Sequence, residues 1–217
     1  MRALILVDLQ NDFIPGGALA VAEGDAVIPV ANRLLAERAR LFDFVVATQD
    51  WHPARHESFA AVHGGKSVGS FIDLHGVQQI LWPDHCVQES RGARFVDGLM
   101  MARIDEIFKK GMNPSVDSYS GFFDNARRGD TGLDGWLRER GVTKLTVMGL
   151  ATDYCVKFTV LDSLSLGYQT DVVTDGCRGV NVLAGDDRRA FDEMRAAGAA
   201  AVSLADMLDR GLGRTFS

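Results

Sequence analysis

Three residues far apart in the chain have the types that make an activated sulfur nucleophile: Asp8, Lys110 and Cys155. Cys155 lies in the run Met148-Gly149-Leu150-Ala151-Thr152-Asp153-Tyr154-Cys155-Val156, after an apolar stretch and at the opening of an amphipathic one. A cysteine in a strand-to-helix turn meets free backbone N–H groups and the positive end of the helix dipole, which favour a thiolate. Asp8 follows Ala3-Leu4-Ile5-Leu6-Val7, and Lys110 follows Ile104 to Phe108. A carboxylate and an ammonium brought to that sulfur would supply a base and a counter-charge for attack on an electrophilic carbon.

A second set has metal-ligating types. Asp50-Trp51-His52 closes another apolar run, and His85 stands in Trp82-Pro83-Asp84-His85-Cys86. Residues two apart in an extended chain share a face, so Asp50 and His52 can aim the same way. One carboxylate and two imidazoles without a thiolate suit one divalent ion, zinc first and manganese or iron as alternatives. His52 and His56 do not form an H-E-x-x-H helix, because Pro53 interrupts the segment and Glu57 follows the second histidine. His63 and His75 read as surface or hydrogen-bonding histidines, and Cys86 and Cys177 as buried structural thiols. Asp153 reads as the cap of the following helix, and Asp12 as bonded within its own turn.

Asp8, Lys110 and Cys155 can meet only if the elements before them end at one place. Apolar, β-branched runs at Ala3–Val7, Phe44–Thr48, Ile104–Lys109, Lys144–Gly149, Gln169–Thr174 and Ala199–Ser203 read as strands. Helical periodicity covers Asp25–Arg40, Leu133–Arg140, Asp153–Leu166, Asp187–Ala197 and Leu204–Arg210, with stops at Gly167 and Gly198. This alternation predicts an α/β fold, a three-layer αβα sandwich around a central, mostly parallel six-stranded sheet. Ligands of such sheets bind outside the carboxyl ends of the strands. Asp8, Asp50, Lys110 and Cys155 all have that address.

Residues 50–103 break the alternation. They hold Pro53, Gly64-Gly65, Pro83 and all five histidines, and are too many for a plain connection. The expectation is an excursion over the carboxyl edge, carrying the metal ligands, within one domain spanning 1–217. No G-x-G-x-x-G follows the first strand and no P-loop pattern occurs, which argues against a nucleotide fold.

A 217-residue chain that is 47% hydrophobic and 24% charged, with net charge −6 and no basic cluster, is a poor partner for nucleic acid or an anionic membrane. The opening residues carry no leader pattern, and no apolar run reaches the ~18 residues of a membrane span. Three irregularly spaced cysteines read as free thiols in a reducing cytoplasm. The apolar Val116, Phe122 and Phe123 beyond Lys110 are candidates for pocket wall or subunit contact, which leaves a homo-oligomer open.

Six blocks, in order, resemble the nicotinamidase (pyrazinamidase) family of the isochorismatase-like cysteine hydrolases. They are Val7-Asp8-Leu9-Gln10-Asn11-Asp12-Phe13, Asp50-Trp51-His52-Pro53, Trp82-Pro83-Asp84-His85-Cys86, Lys110-Gly111, Asp117-Ser118-Tyr119-Ser120-Gly121-Phe122 and Gly149 to Val156. The resemblance implies an isochorismatase-like fold and hydrolysis of nicotinamide, with pyrazinamide also accepted, through a cysteine thioester. It implies Asp8, Lys110 and Cys155 as catalytic triad, and Asp50, His52 and His85 as ligands of one divalent metal that holds the pyridine nitrogen. Ser58 or Glu57 would contribute to the metal shell through water. The amides of Ala151 and Cys155 would form the oxyanion hole, with a cis peptide between Leu150 and Ala151. Phe13 and Trp82 would sandwich the ring, with Tyr154 beside it. A related cysteine hydrolase of another small amide or carbamoyl compound is the alternative.

Overall fold

Ala3 to Val7 are wholly buried, as befits a strand covered on both faces and placed at the centre of a parallel sheet. The structure, a computed structural model, describes residues 1–212. In chain order the elements are β1 (Arg2–Val7), α1 (Val27–Ala36), α2 (Arg38–Leu41), β2 (Phe44–Asp50), β3 (Phe71–Leu74), β4 (Val77–Ile80) and β5 (Glu106–Lys110). Then follow α3 (Leu133–Glu139), β6 (Lys144–Leu150), α4 (Lys157–Ser165), β7 (Gln169–Arg178), α5 (Asp186–Ala196), β8 (Ala200–Val202) and α6 (Leu204–Leu212).

The main sheet has six strands in the order β5-β2-β1-β6-β7-β8, every neighbouring pair parallel. Helices α1, α2 and α6 touch one another on one face, and α4 packs with α5 on the other, so the three-layer expectation holds. The strand order reverses at β1: the chain moves outward through β2 and β5, then returns to lay β6 on β1's other side. That reversal opens a crevice beyond the carboxyl ends of β1 and β6. At Gly149, which pairs with Val7 and has φ +134°, a Cβ would stand 2.7 Å from the Val7 amide nitrogen. Only glycine lets β6 run this close to β1 at the rim.

Four sequence expectations are corrected. The helix expected over Asp25–Arg40 divides into a 3-10 turn at Gly24–Ala26, then α1 and α2. Pro29 explains the late start: its ring clashes with the carbonyl four residues back, so it is tolerated only in the first turn. The strand expected to stop at Thr174 runs on to Arg178 across a register shift opposite Val147 and Gly149, disguised by the turn-like Asp175-Gly176. The helix expected from Asp153 is a wide π turn over Thr152–Val156 followed by α4. The excursion contains an unforeseen hairpin, β3–β4, closed by His75 and Gly76, both at positive φ. Its strands are four residues long and half-exposed, too short for a period to show. Among the described residues no helix is long and apolar enough to cross a membrane.

Candidate active site

Parallel strands bring their carboxyl ends to the same rim. β1 delivers Asp8, which turns off the strand at φ +50°; β2 ends on Asp50 and β5 on Lys110. β6 leads through a cis Leu150–Ala151 peptide into the turn that carries Cys155. Lys110 joins them. Its Nζ lies 2.9 Å from Asp8 Oδ2 and 3.3 Å from Cys155 Sγ, contacts Asp50 Oδ1, and donates to the Ser118 carbonyl at 2.9 Å. All four side chains are buried.

Two residues that the sequence reading did not single out hold this group. Thr48 Oγ1 donates to Asp8 Oδ1 at 2.6 Å. The Gln10 side-chain amide donates to the Asp50 carbonyl and accepts from the Asp50 N–H, at 2.8 Å each, so it binds the end of β2 as another strand would. The only signal in the sequence was position, two residues from Asp50 and Asp8 respectively.

Burial sets the electrostatics. It disfavours the Lys110 ammonium, but the charges of Asp50, Asp8 and Cys155 outweigh it and raise the lysine well above its ordinary value. Burial raises the Asp8 carboxyl, against the opposing pull of Lys110. For Asp50, burial is overcome chiefly by the Lys110 ammonium, and the carboxyl falls far below its usual range. Burial also pushes the Cys155 thiol well up; Lys110 opposes this, while Asp8 and Asp50 reinforce it. Enclosure beside two carboxylates therefore works against the thiolate that the helix end favours. Such a thiol needs a base, and a carboxyl of raised proton affinity suits that task.

Next to the triad, Asp50, His52 and His85 bring one ligand atom each to within 4.8 Å of one another, all buried. His52 Nε2 lies 3.6 Å and His85 Nε2 3.8 Å from Asp50 Oδ2. Each histidine turns its other nitrogen to a backbone carbonyl: His52 Nδ1 is 2.9 Å from Gly111 O, and His85 Nδ1 is 2.8 Å from Pro83 O. Donation there leaves both Nε2 lone pairs facing the carboxylate, the tautomer a metal requires. The donor set thus fits a divalent ion. Burial and the neighbouring His52 lower His85 to about 4, which keeps it neutral and available.

Over both groups lies a cavity lined by Phe13, Trp82, Tyr154, Ala151, Cys155, Asp50 and His85 among others. Trp82 meets Tyr154 edge-on at 4.8 Å and donates from Nε1 to the Tyr119 hydroxyl at 3.2 Å. Phe13 stands edge-on to His85 at 5.6 Å. The walls are aromatic; the floor carries the sulfur and the charges.

Residues 2–206 match the isochorismatase domain model. The chain belongs to the isochorismatase family. It is 58% identical to the nicotinamidase of Escherichia coli K12 over 205 residues, covering 94% of this chain and 96% of that protein. It superposes on an Acinetobacter baumanii nicotinamidase/pyrazinamidase with TM-score 0.90 at 42% identity, covering 95% of this chain and 97% of the other. The pyrazinamidase of Pyrococcus horikoshii in complex with zinc gives TM-score 0.76 at 38% identity, covering 93% and 98%.

Around this isochorismatase-family rim, several expectations change. The Glu57 carboxylate is engaged by His75 at 2.8 Å and Ser115 at 3.1 Å. Ser58 is buried, but its hydroxyl is bonded to His56 Nδ1 at 2.7 Å. Asp153 does not cap its helix. Its carboxylate accepts from the amides of Val180 and Asn181 at 2.9 and 2.7 Å, tying the turn of Cys155 to the loop after β7. Asp12 accepts from the Ala18 amide in its own loop at 3.1 Å, as expected, and also from the Cys86 amide at 2.7 Å, which links the loop of Phe13 to that of His85. His63 and His75 are hydrogen-bonded outside the cavity. Cys86 and Cys177 are buried free thiols, Cys177 pushed up to about 12 by burial. Val116, Phe122 and Phe123 are not among the residues that line the cavity at Cys155.

Proposed function

We propose that this protein is a nicotinamidase, which hydrolyses nicotinamide to nicotinate and ammonia through a thioester on Cys155, and that it also accepts pyrazinamide. The observation that carries this reading is Lys110, one buried ammonium in contact with the carboxylate of a base, the sulfur of a nucleophile and a carboxylate of the metal cluster. A thiol and a metal site under one aromatic cavity suit a small planar substrate with an electrophilic amide at one end and a ring lone pair at the other.

In this reading Asp8 takes the Cys155 proton as the sulfur bonds to the carboxamide carbon. The amides of Ala151 and Cys155 receive the oxyanion, worth roughly 3–4 kcal/mol per donor where water is excluded. Asp8 then gives its proton to the amide nitrogen, so that the C–N bond breaks to release ammonia and not an amide anion. Asp8 next takes a proton from water as the water oxygen bonds to the thioester carbon, the C–S bond breaks, and Asp8 returns the proton to the sulfur. Lys110 keeps the sulfur's negative charge low in energy throughout. Phe13, Trp82 and Tyr154 hold the ring and keep the pocket dry.

Asp50, His52 and His85 would hold one divalent ion, zinc in our assignment, and the chemistry it supplies is an electron-pair acceptor that anchors the ring nitrogen. The three unpaired thiols suit a reducing cytoplasm, and residues 50–103 serve as the metal-bearing cover of one hydrolase domain. Ammonia release from nicotinamide, compared with that from aliphatic amides, tests the assignment; a zinc-loaded enzyme that spares nicotinamide would refute it. His52→Ala lowers bound metal, measured by metal analysis, to well under half of the wild-type stoichiometry. Gly111→Ala weakens zinc binding by about tenfold or more, read by chelator competition. At φ +66° its Cβ would stand 2.6 Å from His52 Nδ1 and push the ring aside.

A further inference from the structure

The block Asp117 to Phe122 has no part in the chemistry so far, yet it grips the triad from behind at both ends. The Ser118 carbonyl accepts from the Lys110 ammonium at 2.9 Å. Gly121 lies against Thr48, so closely that a Cβ on the glycine would stand 2.8 Å from Thr48 Cγ2. Its backbone is pinned in turn: the N–H donates to Thr159 Oγ1 at 2.9 Å, and the carbonyl accepts from Thr131 Oγ1 at 2.6 Å. Gly121, Thr48 and Thr159 are all buried, so this contact has little room to give. A β-branched side chain is stiff at its first torsion. With the methyl of Thr48 set against Gly121, its other branch, the hydroxyl, is turned to Asp8 Oδ1 at 2.6 Å.

Asp8 needs such a holder, because it leaves the end of β1 at φ +50°, where the sheet no longer fixes its direction. Its two carboxylate oxygens have different surroundings. Oδ1 takes the Thr48 hydroxyl. Oδ2 stands 2.9 Å from Lys110 Nζ, which lies 3.3 Å from Cys155 Sγ, yet among the described residues Oδ2 takes no well-directed hydrogen bond. A buried oxygen kept without a donor is costly, and at a reacting centre it marks an atom reserved for a proton. We propose that Thr48 is the positioning residue of the base: its hydroxyl holds Oδ1 so that Oδ2 faces the sulfur, and Gly121 sets the rotamer in which it does so. This rests on the thioester reading above, in which Asp8 is that base. Thr48 is not among the residues lining the cavity; it acts through Asp8, and ring binding does not depend on it.

Ammonia release from nicotinamide by the zinc-loaded enzyme, with nicotinate affinity from titration calorimetry, tests the assignment. Thr48→Val keeps the shape and loses the donor: kcat falls about 10–100-fold, while KM and nicotinate affinity stay within about threefold of wild type. Thr48→Ser keeps the donor and loses no more than about threefold in kcat. Gly121→Ala, whose methyl would meet Thr48 Cγ2, falls as Thr48→Val does. Combining it with Thr48→Ser, which has no methyl to clash, restores kcat to within about threefold of Thr48→Ser alone. A role in packing alone reverses the order, with the isosteric valine active and the smaller serine impaired, and that result overturns the proposal. So does kcat of Thr48→Val within about threefold of wild type, which leaves the nicotinamidase reading standing. Wild type that releases no ammonia from nicotinamide overturns both. Should Thr48→Val not fold, the Gly121→Ala pair decides, and no recovery on adding Thr48→Ser overturns the proposal.

Discussion

Cys155→Ala lowers kcat for nicotinamide by roughly four orders of magnitude or more and leaves nicotinate affinity within about threefold of wild type. In the proposed mechanism the variant deletes the one atom that forms the covalent bond, and alanine fills nearly the same space in a wall that Ala151, Trp82 and Tyr154 also line. Ring recognition, in the proposed reading, belongs to Phe13, Trp82 and the metal ligands, none of which the substitution replaces. Ammonia release gives the first number and titration calorimetry with nicotinate the second. Retained turnover would mean that the sulfur is not the nucleophile, and lost nicotinate binding would mean that the pocket had collapsed.

Lys110→Met has the second large effect, on stability as well as rate. Removing one member of a buried ion pair costs about 3–5 kcal/mol, and here one ammonium serves two carboxylates, Asp8 and Asp50. Methionine has a similar length and keeps the packing, so the loss reports charge. Lys110 lowers both carboxyls; without it Asp8, already raised by burial, rises further. A carboxyl whose folded-state pKa exceeds its unfolded one contributes stability below the unfolded value and loses it as pH climbs through the folded value. The metal-free variant is therefore most deficient at neutral pH and recovers on acidification, which urea melts between pH 4 and 8, spaced about one unit apart, would follow. We expect kcat/KM to fall at least about a thousandfold, because the sulfur loses its counter-charge. A deficit constant with pH would show that Lys110 acts through packing alone.

Much of this site was legible because parallel strands obey a simple geometry. A run such as Ala3–Val7 or Lys144–Gly149 reads as a strand buried on both faces, and the polar residue after such a strand emerges at the carboxyl rim. Asp8, Asp50, Lys110 and Cys155 could be gathered on that ground before any coordinate, and the six ordered blocks added the family's chemistry. The hairpin β3–β4 was hidden because half-exposed four-residue strands leave no period. The reach of Asp12 to Cys86 and of Asp153 to Asn181 was missed for another reason. A carboxylate next to a turn looks local in the sequence, and only the fold shows that its nearest amide lies tens of residues away.

The protonation state of the sulfur was out of reach for a deeper reason. Helix position argued for a thiolate, but a pKa depends on the dielectric and on every charge within several ångströms, and those are properties of the packed rim. The order and identity of the residues determined the layers, the direction of the strands and the set of groups that could react. Tertiary packing alone decided which of them touch, which are shut away from solvent, and so which carry charge, because solvation and Coulomb energy depend on distance in space and not along the chain.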